Sequence, residues 1–164
     1  MTMAALSEPP VLACVALGAN LGEAREVVQQ ALRDLATLDG TRLVRASSLY
    51  RTAPYEASGP DFINAVALLD TQLSPLDLLH ALQRIELAYG RQRPYQNAPR
   101  TLDLDLIFHG DTQLATPELT LPHPRWAERA FVLVPLAEVC PLRVSANLLA
   151  AVSHQTIEKC VDIG

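Results

Sequence analysis

Hydrophobic and polar positions alternate along the chain in a way that predicts most of its elements. Val11–Leu17 is an uninterrupted apolar run, short enough for a buried strand and far below the ~18 residues that span a bilayer. From Gly22 to Leu38, Ala24, Val27, Val28, Ala31, Leu35 and Leu38 recur at helical spacing, and Gly40 follows as a stop. Residues 42–52 read as a strand with weak alternation. Ala53–Asp61, carrying Pro54, Ser58, Gly59 and Pro60, reads as a loop, and Phe62–Thr71 as a second strand. Ser74-Pro75-Leu76-Asp77 is a helix start, with an N-cap serine, proline at the first helical position and an acid in the first turn. That helix is predicted to run to Tyr89 and stop at Gly90. After a loop over 91–100 come a third strand, Thr101–Phe108, a turn at His109-Gly110-Asp111, a short helix around Ala127–Val139 and a weaker C-terminal helix.

The core order β-α-β-β-α-β is satisfied by an antiparallel sheet with helices packed on one face, a ferredoxin-like α+β fold. One domain is expected over 1–164, with 1–10 as a short tail. Composition agrees. With 49% hydrophobic and 19% charged residues, and only 7 Gly and 12 Pro, the chain falls outside the disordered, collagenous and low-complexity classes. No Lys or Arg precedes Arg25, so no secretory leader is expected. Cys14, Cys140 and Cys160 lie far apart without metal-ligand spacing, which reads as reduced thiols in a cytoplasmic protein.

A net charge of −5 argues against general affinity for nucleic acid or anionic membranes. The distribution is more telling. Of the 13 cationic residues all but Lys159 are arginines, and Arg84, Arg91, Arg93 and Arg100 face a single acid, Glu86, within residues 84–100. A local basic segment in an acidic chain suits a phosphate-rich small ligand and is too small for a duplex. Just beyond it stands Pro99-Arg100-Thr101-Leu102-Asp103-Leu104-Asp105-Leu106-Ile107. Aspartate is depleted in strands, yet alternation sends Asp103 and Asp105 to one face, roughly 7 Å apart. Two such carboxylates repel unless a cation attends them. One reading is Mg²⁺, which takes one or two carboxylates together with substrate phosphates; the other is an exposed face whose acids pair with arginines.

Arg91, Arg93 and Arg100 flank a loop, 94–98, that could close over a ligand, or could be solvated. No GxxxxGK[ST] is present, so a Walker-type site is not expected. Gly18-Ala19-Asn20-Leu21-Gly22 lacks the GxGxxG spacing and is read as a tight connection. Asn64 falls on an apolar face beside Phe62; it either meets a planar heterocycle or bonds nearby backbone. His123, between Pro122 and Pro124, suits a structural or phosphate-contacting role more than that of a general base. Trp126 is read as packing.

These residues resemble the 6-hydroxymethyl-7,8-dihydropterin pyrophosphokinase family. The resemblance runs from about Val11 to Pro141 in ordered blocks. They are Leu17-Gly18-Ala19-Asn20-Leu21-Gly22, Ser47-Ser48-Leu49-Tyr50-Arg51-Thr52, Asp61-Phe62-Ile63-Asn64-Ala65, Gln83-Arg84-Ile85-Glu86, Gly90-Arg91, Pro99 to Asp105, Leu121-Pro122-His123-Pro124 and Glu128 to Leu133. It implies transfer of diphosphate from ATP to the pterin hydroxymethyl oxygen, releasing AMP, in folate biosynthesis. It also implies two Mg²⁺ ions held by Asp103 and Asp105, with Arg91 and Arg100 on the phosphates during transfer and Arg93 in the mobile loop. Gln83, Glu86, Leu106, Thr120, His123 and Arg129 match positions lining the ATP site. Phe62 and Phe131 match an aromatic pair that sandwiches the pterin, Asn64 its edge, and Thr52 and Tyr55 a segment completing the pocket. The expected partners are ATP and the pterin, with no nucleic acid and no membrane, and a monomer is expected. The sequence differs from the family pattern in carrying Asn97 where a tryptophan is known, Gln96 where a basic residue is usual, Glu118 where an arginine can serve the nucleotide, and Phe62 for a commoner tyrosine. A ferredoxin-like RNA-binding module is a rival, although its aromatic signature is missing from a chain with 5% aromatic residues. A Mg²⁺ nuclease would normally require a third acid and a basic groove.

Overall fold

The computed structural model describes residues 9–53, 60–90 and 102–160. β1 (Val11–Ala19) pairs antiparallel with β4 (Phe62–Thr71) on one side and β5 (Asp103–His109) on the other. The sheet runs β5-β1-β4-β3-β8, where β3 is Tyr50–Thr52 and β8 is Ile157–Lys159, and β2 (Thr41–Ala46) also pairs with β4. With β2 and β3 taken as one interrupted strand, this is the ferredoxin-like order, and it is antiparallel throughout. α1 (Ala24–Ala36) and α2 (Pro75–Gly90) are the two predicted crossover helices. Ser74 caps α2 as expected, its Oγ accepting the Asp77 N–H at 3.1 Å. Gly110 takes the predicted turn with φ +57, where a Cβ would stand 2.6 Å from Val11 Cγ1.

Alternation fixes the faces. Ala13, Val15 and Leu17 of β1, Ala65, Ala67 and Leu69 of β4, and Leu104 and Leu106 of β5 meet Val28, Ala31 and Leu35 of α1 and Leu78 and Leu82 of α2. The two core helices share one face as expected, and a helix outside that core covers the opposite face too. α3 (Ala130–Val139) lies across it and buries Val132, Leu133 and Leu136 against Cys14, Ala16, Val66 and Leu68. A bulge opposite Cys14 and Val15 turns both Ile107 and Phe108 to this face, where simple alternation would have separated them. Trp126 packs against the same cluster.

Three other expectations change. The strand over 42–52 is broken, because Ser47 leaves the ladder while its N–H donates to Val66 O at 2.8 Å and its Oγ accepts the Val66 N–H at 2.9 Å. The helix expected over 127–139 starts as a 3₁₀ turn, Trp126–Glu128, and breaks at Arg129, which is extended at φ −124, ψ 117. The C-terminal helix is real but short, α4 (Ala146–Ala151), and the chain then returns as a strand, β8 (Ile157–Lys159), beside β3. A small hairpin of β6 (Leu114–Ala115) and β7 (Thr120–Leu121) stands apart from the main sheet. Among the described residues no helix is long and apolar enough to cross a membrane.

The C-terminal turn of α3 is tied to the sheet by Glu138. Its carboxylate accepts from the Ser48 N–H at 3.1 Å, Ser48 Oγ at 2.8 Å and Tyr50 OH at 2.7 Å. Burial alone would push this carboxyl up, but the hydrogen bonds from Tyr50 and Ser48, with Lys159 nearby, outweigh it and hold it below its ordinary value of 4.5. A lowered carboxyl stabilises the fold where the unfolded chain would also be ionised, and loses that contribution as pH falls through the folded value. Glu138→Gln is therefore expected to cost about 1 kcal/mol near neutrality, screening by solvent being allowed for. In denaturant unfolding series at descending pH, the gap to the parent protein should close below the ordinary value of 4.5.

Candidate active site

At one end of the second face α3 begins, at Ala130, and leaves the sheet beyond it open. The register puts Asp103, Gly18 and Asn64 side by side on β5, β1 and β4, and Asp105 beside Ala16 in the next row on that face. A cavity of about 710 Å³ lies over this floor. Asp103 and Asp105 line one side of it, and Thr52, Phe62 and Asn64 line the sheet side. Ala130, Phe131 and Arg129 overhang it from the first turn of α3. Asn64 is 4% exposed, and its Nδ2 donates to Thr52 Oγ1 at 2.9 Å, so a neighbouring side chain, not backbone, takes one of its donors. The Arg129 guanidinium stands 5.3 Å from the centroid of the Phe131 ring, within cation–π range.

A second cleft of about 250 Å³ opens on the other side of β5, lined by Leu106, Thr120, His123 and Glu118 among others. Asp105 borders both spaces. His80 Nε2 stands 2.6 Å from Glu118 Oε2, so the acid that departs from the family pattern is held from α2. His123 is placed by its N–H, which donates to Ile107 O at 2.8 Å. Its Nδ1 accepts the Arg125 N–H at 3.1 Å, which leaves the proton of the neutral ring on Nε2. Burial lowers the His123 pKa, Arg129 and Arg125 push the same way, and Asp105 opposes them without prevailing.

The sequence-derived candidates divide accordingly. Thr52, Phe62, Asn64, Phe131, Asp103 and Asp105 share the larger cavity, and Leu106, Thr120 and His123 the smaller cleft. Arg129 lines the larger cavity. Gln83 is exposed and lines neither. Glu86 lines neither as well, and its Oε2 accepts the Leu104 N–H at 2.8 Å, so it holds the outer edge of β5 between the two aspartates. Tyr55, Arg91, Arg93 and Arg100 lie outside the described residues.

Sequence reasoning missed several contributors, Arg125 among them. Gly18 is the floor of the cavity inside β1, not a mere connection, and the structure sets it in register with Asn64 and Asp103. His154, Gln155 and Thr156 close the cavity from the C-terminal segment, and no local motif marks them. Among the described residues no group of three or more His, Cys, Asp or Glu could hold a metal alone. Two hard oxygen donors on adjacent same-face positions nevertheless suit a Mg²⁺ ion that draws its remaining ligands from phosphate and water.

An antiparallel ferredoxin-like sheet with an aromatic-and-amide recess at one end and paired carboxylates beside it defines a site for a flat small molecule next to ligands for a hard cation. The particular family follows from comparison: the family model for 7,8-dihydro-6-hydroxymethylpterin-pyrophosphokinase matches residues 14–141, and the chain belongs to that family. A 2-amino-4-hydroxy-6-hydroxymethyldihydropteridine pyrophosphokinase of Pseudomonas aeruginosa is 49% identical over 152 residues, covering 88% of this chain and 94% of that protein. One from Haemophilus influenzae is 43% identical over 138 residues, covering 84% of this chain and 86% of its own. A Plasmodium falciparum HPPK-DHPS crystal structure shares the fold at a TM-score of 0.69 and 14% identity, covering 94% of this chain and 45% of that longer one.

The His123 assignment can be read directly. An NMR titration of its ring is expected to give a midpoint below the ordinary 6.5. Asp105→Asn should move it lower still, because the carboxylate is the group that favours the charged ring. A midpoint at or above the ordinary value would remove the argument for a neutral ring.

Proposed function

We propose that this protein transfers diphosphate from ATP to the hydroxymethyl oxygen of 6-hydroxymethyl-7,8-dihydropterin, releasing AMP, as a step of folate biosynthesis. The observation that carries the reading is the position of Asp105, which borders both the aromatic-and-amide cavity and the smaller cleft. A flat heterocycle in the first space and a nucleotide in the second would bring their reacting atoms together at that carboxylate. In the reaction the hydroxyl oxygen bonds to the β-phosphorus, the bond from that phosphorus to the α–β bridging oxygen breaks, AMP departs with the electron pair, and the hydroxyl proton is lost. Catalysis of such a transfer is positioning together with charge neutralisation.

Phe62 and Phe131 are assigned to the two faces of the pterin, and Asn64, fixed by Thr52, to its hydrogen-bonding edge. Thr52 and Tyr55 complete that pocket. Leu106, Thr120 and His123 are assigned to ATP with Gln83, Glu86 and Arg129, and a neutral His123 offers Nε2–H to a phosphate or hydroxyl oxygen. Asp103 and Asp105 would hold two Mg²⁺ ions, which when bound neutralise phosphate charge. Arg91 and Arg100 are assigned to the transferring phosphates and Arg93 to the loop beside them, on the strength of the family motif. The reading takes the chain beyond its tail as one pyrophosphokinase domain, working as a cytoplasmic monomer.

An assay with Mg²⁺, ATP and the pterin that resolves AMP from ADP is expected to give AMP in step with a diphosphorylated pterin. ADP with a monophosphate would overturn the assigned reaction. Asp103→Ala or Asp105→Ala should each lower turnover at least about a hundredfold in a folded protein; near-parental turnover in either would remove the metal assignment. Gly18→Ala brings a Cβ to 3.3 Å from Asn64 Oδ1. It should raise the pterin KM several-fold by displacing that amide, while the ATP KM stays near the parental value.

A further inference from the structure

The C-terminal segment closes the larger cavity from a side that no local motif marks. After α4 the chain turns through Val152–Gln155, where the Gln155 N–H donates to Val152 O at 2.9 Å. It then enters β8, with Ile157 in register opposite Thr52 and the Cys160 N–H on Leu49 O at 2.9 Å. One side of this strap is therefore sewn to β3, the strand that supplies Thr52. On the other side it meets the start of α3. There the Gln155 side chain makes two contacts with opposite polarity: its Oε1 accepts the Ala130 N–H at 2.8 Å and its Nε2 donates to Glu128 O at 2.8 Å.

These two bonds satisfy groups that the helix cannot. Ala130 opens α3 and its N–H has no carbonyl a turn earlier, while Arg129, in extended conformation, interrupts the path from the 3₁₀ turn. No side-chain cap is made by Arg129 itself. A primary amide carries its donor and its acceptor on separate atoms of one planar group, and here it clamps the backbone on both sides of the break. The residues on either side of Ala130 are Arg129 and Phe131, and all three line the cavity.

The geometry points to Gln155 as a positioning residue, which clamps the first turn of α3 to the C-terminal strap and thereby sets the seat of Phe131 and the affinity for the pterin. This rests on the proposed function in that the pterin is taken as the occupant of the cavity. The clamp itself does not depend on that, so the two are tested separately.

Amide hydrogen exchange on Gln155→Ala, with no substrate present, reads the clamp. Exchange at Glu128–Val132 is expected to accelerate about tenfold or more, with the central strands β1 and β4 unchanged. Steady-state kinetics then read its consequence. The pterin KM should rise about tenfold, while the ATP KM and the saturated rate stay within about twofold. Gln155→Glu keeps the acceptor for the Ala130 N–H but turns the donor into a second acceptor facing Glu128 O. Its pterin KM should lie between those of the parent and Gln155→Ala, and its defect relative to the parent should shrink as pH falls toward about 5, where protonation of the introduced carboxyl restores a donor. If Gln155→Ala does not fold, this pH dependence decides alone. Unchanged exchange at the start of α3, or equal rises in both KM values, or a pH-independent defect in Gln155→Glu, would overturn the clamp. Faster exchange in a protein whose parent shows no pterin-dependent turnover would leave the clamp standing and overturn the assigned substrate.

Discussion

The site depends on a position with no side chain. On the face covered by α3, β1 presents Cys14, Ala16 and Gly18 in succession, and neighbours in the sheet rise around the last of them: Asp103 on one flank, Asn64 on the other. A Cβ on Gly18 would approach Asn64 Oδ1 to 3.3 Å, which is tight for a buried amide already committed to Thr52. The glycine is needed for space and not for an unusual φ, since it sits inside a regular strand. The shrinking side chains make a recess whose floor is backbone, which lets a flat ligand lie close to the sheet with polar groups on both sides.

The roof of the recess is α3, and two kinds of force place it. Burial of Leu133 and Leu136, each 0% exposed, contributes about 2 kcal/mol per side chain and accounts for the helix lying on this face at all. That force is non-directional. Apolar contacts leave the first turn, where Phe131 sits at the rim of the cavity, less firmly held than the buried middle of the helix. The polar tethers at the two ends, Glu138 to Ser48 and Tyr50 and Gln155 to Glu128 and Ala130, are weaker, at about 1 kcal/mol per hydrogen bond. They have fixed geometry, however, and so hold the two ends in place. Burial decides that α3 docks, and the tethers secure its ends.

Much of this was legible in the residues. The strands β1, β4 and β5 and the helices α1 and α2 follow from alternation and period, because each buries one face and the apolar residues must repeat accordingly. The Asp103 and Asp105 pair was legible for the same reason, as was Asn64 on an apolar face. The break in the strand over 42–52 was not, since β2 is largely exposed and has little apolar face to read, and since Ser47 replaces ladder bonds with its own side chain. β8 spans Ile157–Lys159 only, with two of its residues exposed, too little for any periodicity. The bulge that turns both Ile107 and Phe108 to one face is a departure from the very alternation on which the reading relied. Gln155 was invisible because its partners are backbone groups at Glu128 and Ala130, and a backbone carbonyl or N–H leaves no trace in the sequence.

β5 resolves two requirements with one arrangement. It ends the sheet on one side, and an edge strand exposes N–H groups that invite wrong pairing or movement. Glu86, reaching from α2, accepts the Leu104 N–H on that outer edge, directly between the two aspartates. Ile107 O, further along the same strand, takes the His123 N–H and so hangs the wall of the smaller cleft from β5. A strand bonded on its inner side to β1 and on its outer side to Glu86 and His123 cannot twist freely. The spacing of Asp103 and Asp105 is then set by the backbone before any ion or phosphate arrives. Groups that must neutralise charge during a transfer act best when they need no rearrangement at the moment of reaction, and a strand pinned along both edges is a physical means to that end.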